Sequence, residues 1–199
     1  MPKRMNLQRK KTKYVKSIAD AIQRYDDAIA NDLDASLLRW IAKMSALEVH
    51  TGWERYVEDR LVVALNNDAR HFIKENDIRG VKHLSSGFAT YVALNGRHYF
   101  DFRSMSDLFK QGDNLIGKDA NPFRSMPLAD RKEIDCLAAI RNWIVHGSDN
   151  ALSAYKKHLG IAYEMKYVPV DEFLPVAGKG NRSRLHGLAN VVIKSIEAT

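Results

Sequence analysis

Residues 127–148, PLADRKEIDCLAAIRNWIVHGS, constrain the fold more than any other stretch. Pro127 opens the segment and Gly147 closes it, the punctuation of a helix start and stop. Between them, Ile134, Leu137, Ala138, Ala139, Ile140, Trp143, Ile144 and Val145 make the chain apolar almost all round. A helix of that kind has to be covered on most sides, so it predicts the central helix of the fold. Yet it carries Arg141, Asn142 and His146. Arg141 stands inside an apolar stripe, and a guanidinium is rarely buried alone, because an unpaired buried charge costs several kcal/mol. Asn142 and His146 are one helical turn apart and share a second stripe with Asp135. The last turn of a helix favours a cation, and histidine is the side chain that ordinarily changes charge nearest neutral pH. Arg141 and His146 are separated by roughly 140° around the axis. The long, forked arginine side chain can still bring both to one phosphate-sized ligand. Taken singly, each residue has a plainer reading: an ion-pair partner, a surface amide and a C-terminal-turn histidine.

A chain of 199 residues is enough for one domain with a substantial core. Its 45% hydrophobic and 28% charged content match an ordinary globular protein. No apolar run approaches a membrane span and no signal-peptide pattern is present, so a cytoplasmic location without membrane association is expected. The single cysteine, Cys136, excludes an internal disulfide and is expected in packing. The net charge of +7 is unevenly placed. Residues 1–16 hold Lys3, Arg4, Arg9, Lys10, Lys11, Lys13 and Lys16 without one acid, which matches the whole surplus. This reads as a basic N-terminal arm, flexible or loosely helical, that would track phosphates without reading sequence; a solvated tail is the plainer alternative. Residues 17–199 then form one helical domain.

Tyr14, Ile18, Ala21, Ile22, Tyr25 and Ile29 recur at helical spacing, and Asn31, Asp32 and Asp34 end that helix and cap the next. Residues 35–66 read as a long helix with Leu37, Ile41, Met44, Trp53, Tyr56, Val57, Leu61, Ala64 and Leu65 inward. Gly52 interrupts the stripe and calls for a closely packed neighbour. Glu48 follows Met44 by one turn, on the inward face. A carboxylate there wants a cation, so Glu48 or Glu54 is expected to pair with Arg141 across the bundle; a position at the edge of the interface is the alternative. His50, Glu54 and Glu58 also lie along one helix face, but no second histidine completes a zinc pattern, and no metal or other cofactor is expected. After a short helical piece near 68–76, Phe88 to Leu94, Asn95-Gly96 and Arg97 to Phe102 predict a β-hairpin insertion over 88–102. Its alternating aromatic and basic residues would pack on the helices or, less commonly, stack nucleobases. Residues 104–110 read as a short helix, 111–126 as a loop, and helices follow through Leu159 and from Arg184 to Ile196. The fold class is mainly α: a bundle of four to five helices with a hairpin insertion.

The pattern Arg141-Asn142-x-x-x-His146-Gly147, closing a buried helix, resembles the signature of the HEPN superfamily. The stretch ALEVHTGWERYVEDRL, through Trp53, Glu54, Tyr56 and Glu58, is similar to an aromatic–Glu–aromatic–acidic helix of one HEPN branch, found in bacterial conflict systems. The two segments, 46–66 and 130–148, stand in the family's chain order and cover about a fifth of the sequence. The resemblance implies a HEPN-like helical bundle and a metal-independent endoribonuclease of a toxin–antitoxin or phage-defence system. RNA is then the partner, with an antitoxin or defence protein as a further one. In such a homodimer two Arg–His helices face each other and form one composite site. Arg141 would hold the scissile phosphate, Asn142 orient it, and His146 move the proton. The resemblance also covers non-catalytic modules that bind nucleic acid, nucleotide or a protein partner.

Overall fold

The computed structural model describes residues 5–97, 102, 104–176 and 182–199. The fold is mainly helical: α1 (Leu7–Ala30), α2 (Ala35–Asn67), α3 (Arg70–Glu75), α4 (Ser86–Ala93), α5 (Met105–Ile116), a 3₁₀ turn (Pro122–Ser125), α6 (Leu128–His146), α7 (Asp149–Tyr163), α8 (Val170–Phe173) and α9 (Arg184–Ala198). Among the described residues there is no strand, and no helix is long and apolar enough to cross a membrane. The described residues fall into two compact units, one drawn from 1–13, 54–126 and Thr199, the other from 14–53 and 127–198.

The second unit is built on α6, which packs against α7 and α9. Ile134, Cys136, Leu137, Ala139 and Ile140 bury its middle. Leu185, Leu188, Val192 and Ile196 of α9 and Tyr155 and Leu159 of α7 supply the facing side chains. Each of the buried Leu, Ile and Val side chains contributes roughly 1.5–3 kcal/mol by leaving water. In α1 the buried residues Tyr14, Ile18, Ala21 and Tyr25 repeat every three or four positions, as the period predicts. Gly52 does sit where a neighbour comes close: a Cβ there would stand 3.0 Å from Cγ1 of Ile18. Nearby, the Ser45 hydroxyl donates to the Ala21 carbonyl at 3.1 Å. The expected inward stripe of α2 begins later than predicted. Leu37 is exposed and Ile41 and Met44 are only half-buried, so burial sets in at Ala42.

Cys136 is fully buried, and burial, helped by the nearby Glu133 and Asp135 carboxylates, pushes its thiol up to about 12. Since only the thiolate attacks, a disulfide reagent at neutral pH should label the native chain orders of magnitude more slowly than the urea-unfolded chain. Equal rates would place the thiol at the surface.

In the first unit, Tyr56, Val57, Leu61, Val62, Val63 and Leu65 of α2 form the core, and α5 packs against α3 and the 3₁₀ turn. Buried Asn66 joins two distant segments, accepting from the Met5 backbone N–H at 3.2 Å and donating to the Leu84 carbonyl at 3.1 Å. Residues 111–116, expected in a loop, continue α5, and Gly117 at φ 85° ends it. Arg124 reaches back from the 3₁₀ turn and grips Asp113 with two guanidinium nitrogens, Nε donating to Oδ1 at 2.7 Å. That grip lowers the Asp113 carboxyl from 3.8 to about 2. The folded value lies below the unfolded one, so the pair's stabilisation is complete above about pH 4 and drains away as pH falls toward 2. The urea midpoint of Asp113→Asn is therefore expected to change less across that window than that of the wild type.

The β-hairpin over 88–102 is corrected in its first half, which is helix α4. The Ser85 hydroxyl accepts from the Phe88 N–H at 3.3 Å as its N-cap. Ala89 and Ala93, one turn apart, are buried, while Phe88 and Tyr91 stack on the exposed side with ring centres 6.2 Å apart. Asn95 and Gly96 do adopt positive φ, 51° and 71°. Instead of reversing a ribbon they close a helix, with the Gly96 N–H donating to Tyr91 O and the Asn95 N–H to Val92 O, both at 3.0 Å. Strand propensity yields to this context, because it mostly measures fit to a sheet surface that the chain does not offer here. Residues 98–101, with His98, Tyr99 and Phe100 of the expected stacking platform, lie outside the described residues.

Candidate functional site

Helix α6 is buried along one stretch, from Ile134 to Ile140, and then surfaces. Arg141 is half-buried, while Asn142, Val145 and His146 are exposed. At about 100° per residue, Arg141, Val145, Asn142 and His146 fill one arc of roughly 140°, and Trp143 and Ile144 turn the other way. The Arg141 Nη1 donates to Asn142 Oδ1 at 2.9 Å. That bond leaves the Asn142 amide N–H groups and the remaining guanidinium N–H groups for an outside acceptor. Among the described residues nothing hydrogen-bonds or ion-pairs with the His146 ring. Gly147, at φ 57°, ends the helix with its N–H on Trp143 O at 3.0 Å. Ser148 then caps α7 by accepting from Ala151 N at 3.3 Å. The site is thus an outward-facing set of donors beside one imidazole at a sharp chain reversal. Such a set can grip an anion and move a proton.

Glu48 lies elsewhere than beside Arg141. It is exposed on α2 and ion-paired with Arg24 of α1, where water screens the pair. Glu54 is half-buried on α2. Of the basic residues near the N-terminus, Arg9, Lys10, Lys11, Lys13 and Lys16 lie on α1, well-formed helix from Leu7 onward. Lys10 pairs with Asp59 at 2.9 Å, and Arg9, Lys13 and Lys16 are exposed. Lys3 and Arg4 lie outside the described residues. His50 is buried, Glu54 and Glu58 are half-buried, and no group of three metal-ligating side chains occurs among the described residues. A cavity of about 580 Å³ in the first unit is lined by Arg60, His71 and Lys74 among others and contains none of the α6 residues.

One constellation is only half announced by the sequence. Ser183 Oγ lies 2.7 Å from His186 Nδ1, and His186 Nε2 lies 2.9 Å from Asp26 Oδ1. The chain looks like an activated serine, but the backbone argues otherwise. Ser183 caps α9 by accepting from the His186 N–H at 3.4 Å, and the next donors are taken, Arg184 N by Val176 O and Leu185 N by Leu174 O. No first-turn amide of α9 remains to stabilise an oxyanion. The network fastens α9 to α1. The spacing Ser-x-x-His hints at the cap; nothing local announces Asp26.

No family model, no curated protein and no solved structure matches the chain.

Proposed function

We propose that the chain is a metal-independent endoribonuclease of the HEPN kind, serving a bacterial toxin–antitoxin or phage-defence system and cutting RNA at Arg141, Asn142 and His146 in a site shared across a homodimer. The observation that carries the reading is the exit of α6 from the core: the helix surfaces just where these three residues stand, with Asn142 already oriented by Arg141 and the His146 ring unpartnered among the described residues. His146 takes the proton of a ribose 2′-hydroxyl, whose oxygen attacks the adjacent phosphorus. Arg141 and Asn142 hold the phosphate and stabilise the charge growing on its oxygens. The 5′-oxygen leaves, taking a proton from the second imidazole of the dimer, and a 2′,3′-cyclic phosphate remains. Exposed Arg9, Lys13 and Lys16 on α1 would concentrate RNA without selecting sequence.

Purified protein incubated with total RNA in EDTA tests this. Cleavage that both His146→Ala and Arg141→Ala lose, with helicity by circular dichroism unchanged, supports the reading. Cleavage that survives His146→Ala sinks it. Binding without cleavage favours a non-catalytic module.

A further inference from the structure

Trp40 is 54% exposed and Tyr167 45% exposed, unusually open for large rings. With half-buried Trp143, Met44, Lys43 and Asp171 they line a groove of about 460 Å³ in the second unit. Lys43 and Asp171 carry opposite charges, and among the described residues neither side chain is hydrogen-bonded or ion-paired, with each other or with anything else. An apolar helix seated here would bury both charges unpaired, which is strongly unfavourable. A ligand that fits needs a flat apolar body, a donor edge for the carboxylate and a negative group for the ammonium. A nucleotide of single-stranded RNA has all three, since unpaired bases stack on aromatic rings and present their pairing edges. Guanine alone places two adjacent donors, N1–H and the N2 amino group, on that edge, so it can meet a carboxylate through two parallel charge-assisted bonds. Adenine and cytosine set an acceptor beside their single donor group, and uracil flanks its donor with two carbonyls. Trp143 and Ile144 lie on the last turns of α6, about 60° around the axis from His146 and Arg141 respectively, so the groove flanks the candidate site on the neighbouring face of that helix.

We propose that this groove holds an unpaired guanine beside the phosphate held by Arg141 and Asn142; the second half of that statement rests on the ribonuclease reading. The test uses full-length His146→Ala protein in EDTA and short single-stranded oligouridines carrying one central G, A, C or U, read by fluorescence anisotropy. The G-containing strand is expected to bind about tenfold or more tightly than the others. Asp171→Asn should erase that preference while retaining most of the affinity, and Trp40→Ala should weaken all four strands by roughly 5- to 100-fold. Both residues are solvent-accessible, and melting curves check that the variants fold. Equal binding of the four strands, or a guanine preference that survives Asp171→Asn, overturns the proposal. So does a dimer that Trp40→Ala splits in sedimentation without altering RNA affinity, since a second copy would then fill the groove. Mapping wild-type cuts separates the two claims. Guanine-selective binding without cleavage keeps the base site and discards the nuclease, whereas cleavage with no base preference in binding does the reverse.

Discussion

Gly112→Ala should destabilise the first unit by about 2–4 kcal/mol, read as a lower urea midpoint by circular dichroism. Helix propensity argues the other way, since alanine in a helix interior is better than glycine by roughly 1 kcal/mol. Space decides. A Cβ at Gly112 would stand 2.5 Å from Nδ2, 2.8 Å from Cγ and 2.9 Å from Oδ1 of Asn121. That amide cannot simply swing away, because it is buried and held three times. Nδ2 donates to Phe109 O at 3.0 Å and to Asp113 Oδ1 at 2.9 Å, while Oδ1 accepts from Phe123 N at 3.1 Å. Moving it strands buried polar atoms at the join of α5 and the 3₁₀ turn, and each stranded group costs about 1–3 kcal/mol. Gly87→Ala in α4 is the control. Its Cβ meets no described atom within 4 Å, so it should be neutral or stabilising by up to about 1 kcal/mol. A Gly112→Ala protein as stable as wild type would remove the Asn121 argument.

On the proposed mechanism, His146→Ala should lower the cleavage rate by about 10²- to 10⁴-fold, the usual worth of a positioned proton carrier. RNA affinity should barely move, because Arg141 and Asn142, not the imidazole, hold the phosphate. Arg141→Ala should cost about 10²- to 10³-fold in rate and weaken binding as well. Arg141→Lys keeps the charge but loses the planar fork, so it should recover binding better than turnover. Asn142→Ala removes one bond to a charged group, worth roughly ten- to a hundredfold. Single-turnover rates and a separate binding titration read the two effects apart. A His146→Ala loss confined to affinity would place the imidazole in binding and leave the chemistry without its base.

What could be read in advance was local. The period of Tyr14, Ile18, Ala21 and Tyr25 gives α1 its buried face, and Pro127, Gly147 and Ser148 bracket α6 and start α7. The spacing of Arg141, Asn142 and His146 is likewise a local fact, and so is their shared arc. The errors have one cause, signals that two structures share. Positive φ at Asn95 and Gly96 serves a hairpin turn and a helix end alike, and which one forms depends on whether Ala89 and Ala93 find a surface to bury against. Gly112 reads as a loop residue until Asn121 is seen lying against it. Long-range polar contacts are the least legible. The Glu48–Arg24 and Asp26–His186 contacts join residues far apart in sequence, and no periodicity encodes the partner.

Gly147 has a consequence for how freely such a chain can vary. A side chain there would meet no described atom within 4 Å, so substitution is limited by the left-handed backbone alone. Asparagine and aspartate tolerate that conformation with modest cost, and β-branched residues do not. The residue that turns the chain next to His146 is therefore under a conformational constraint independent of catalysis. Among diverging descendants of this sequence, position 147 should favour Gly, Asn and Asp and exclude β-branched residues, even in lineages where His146 has been lost.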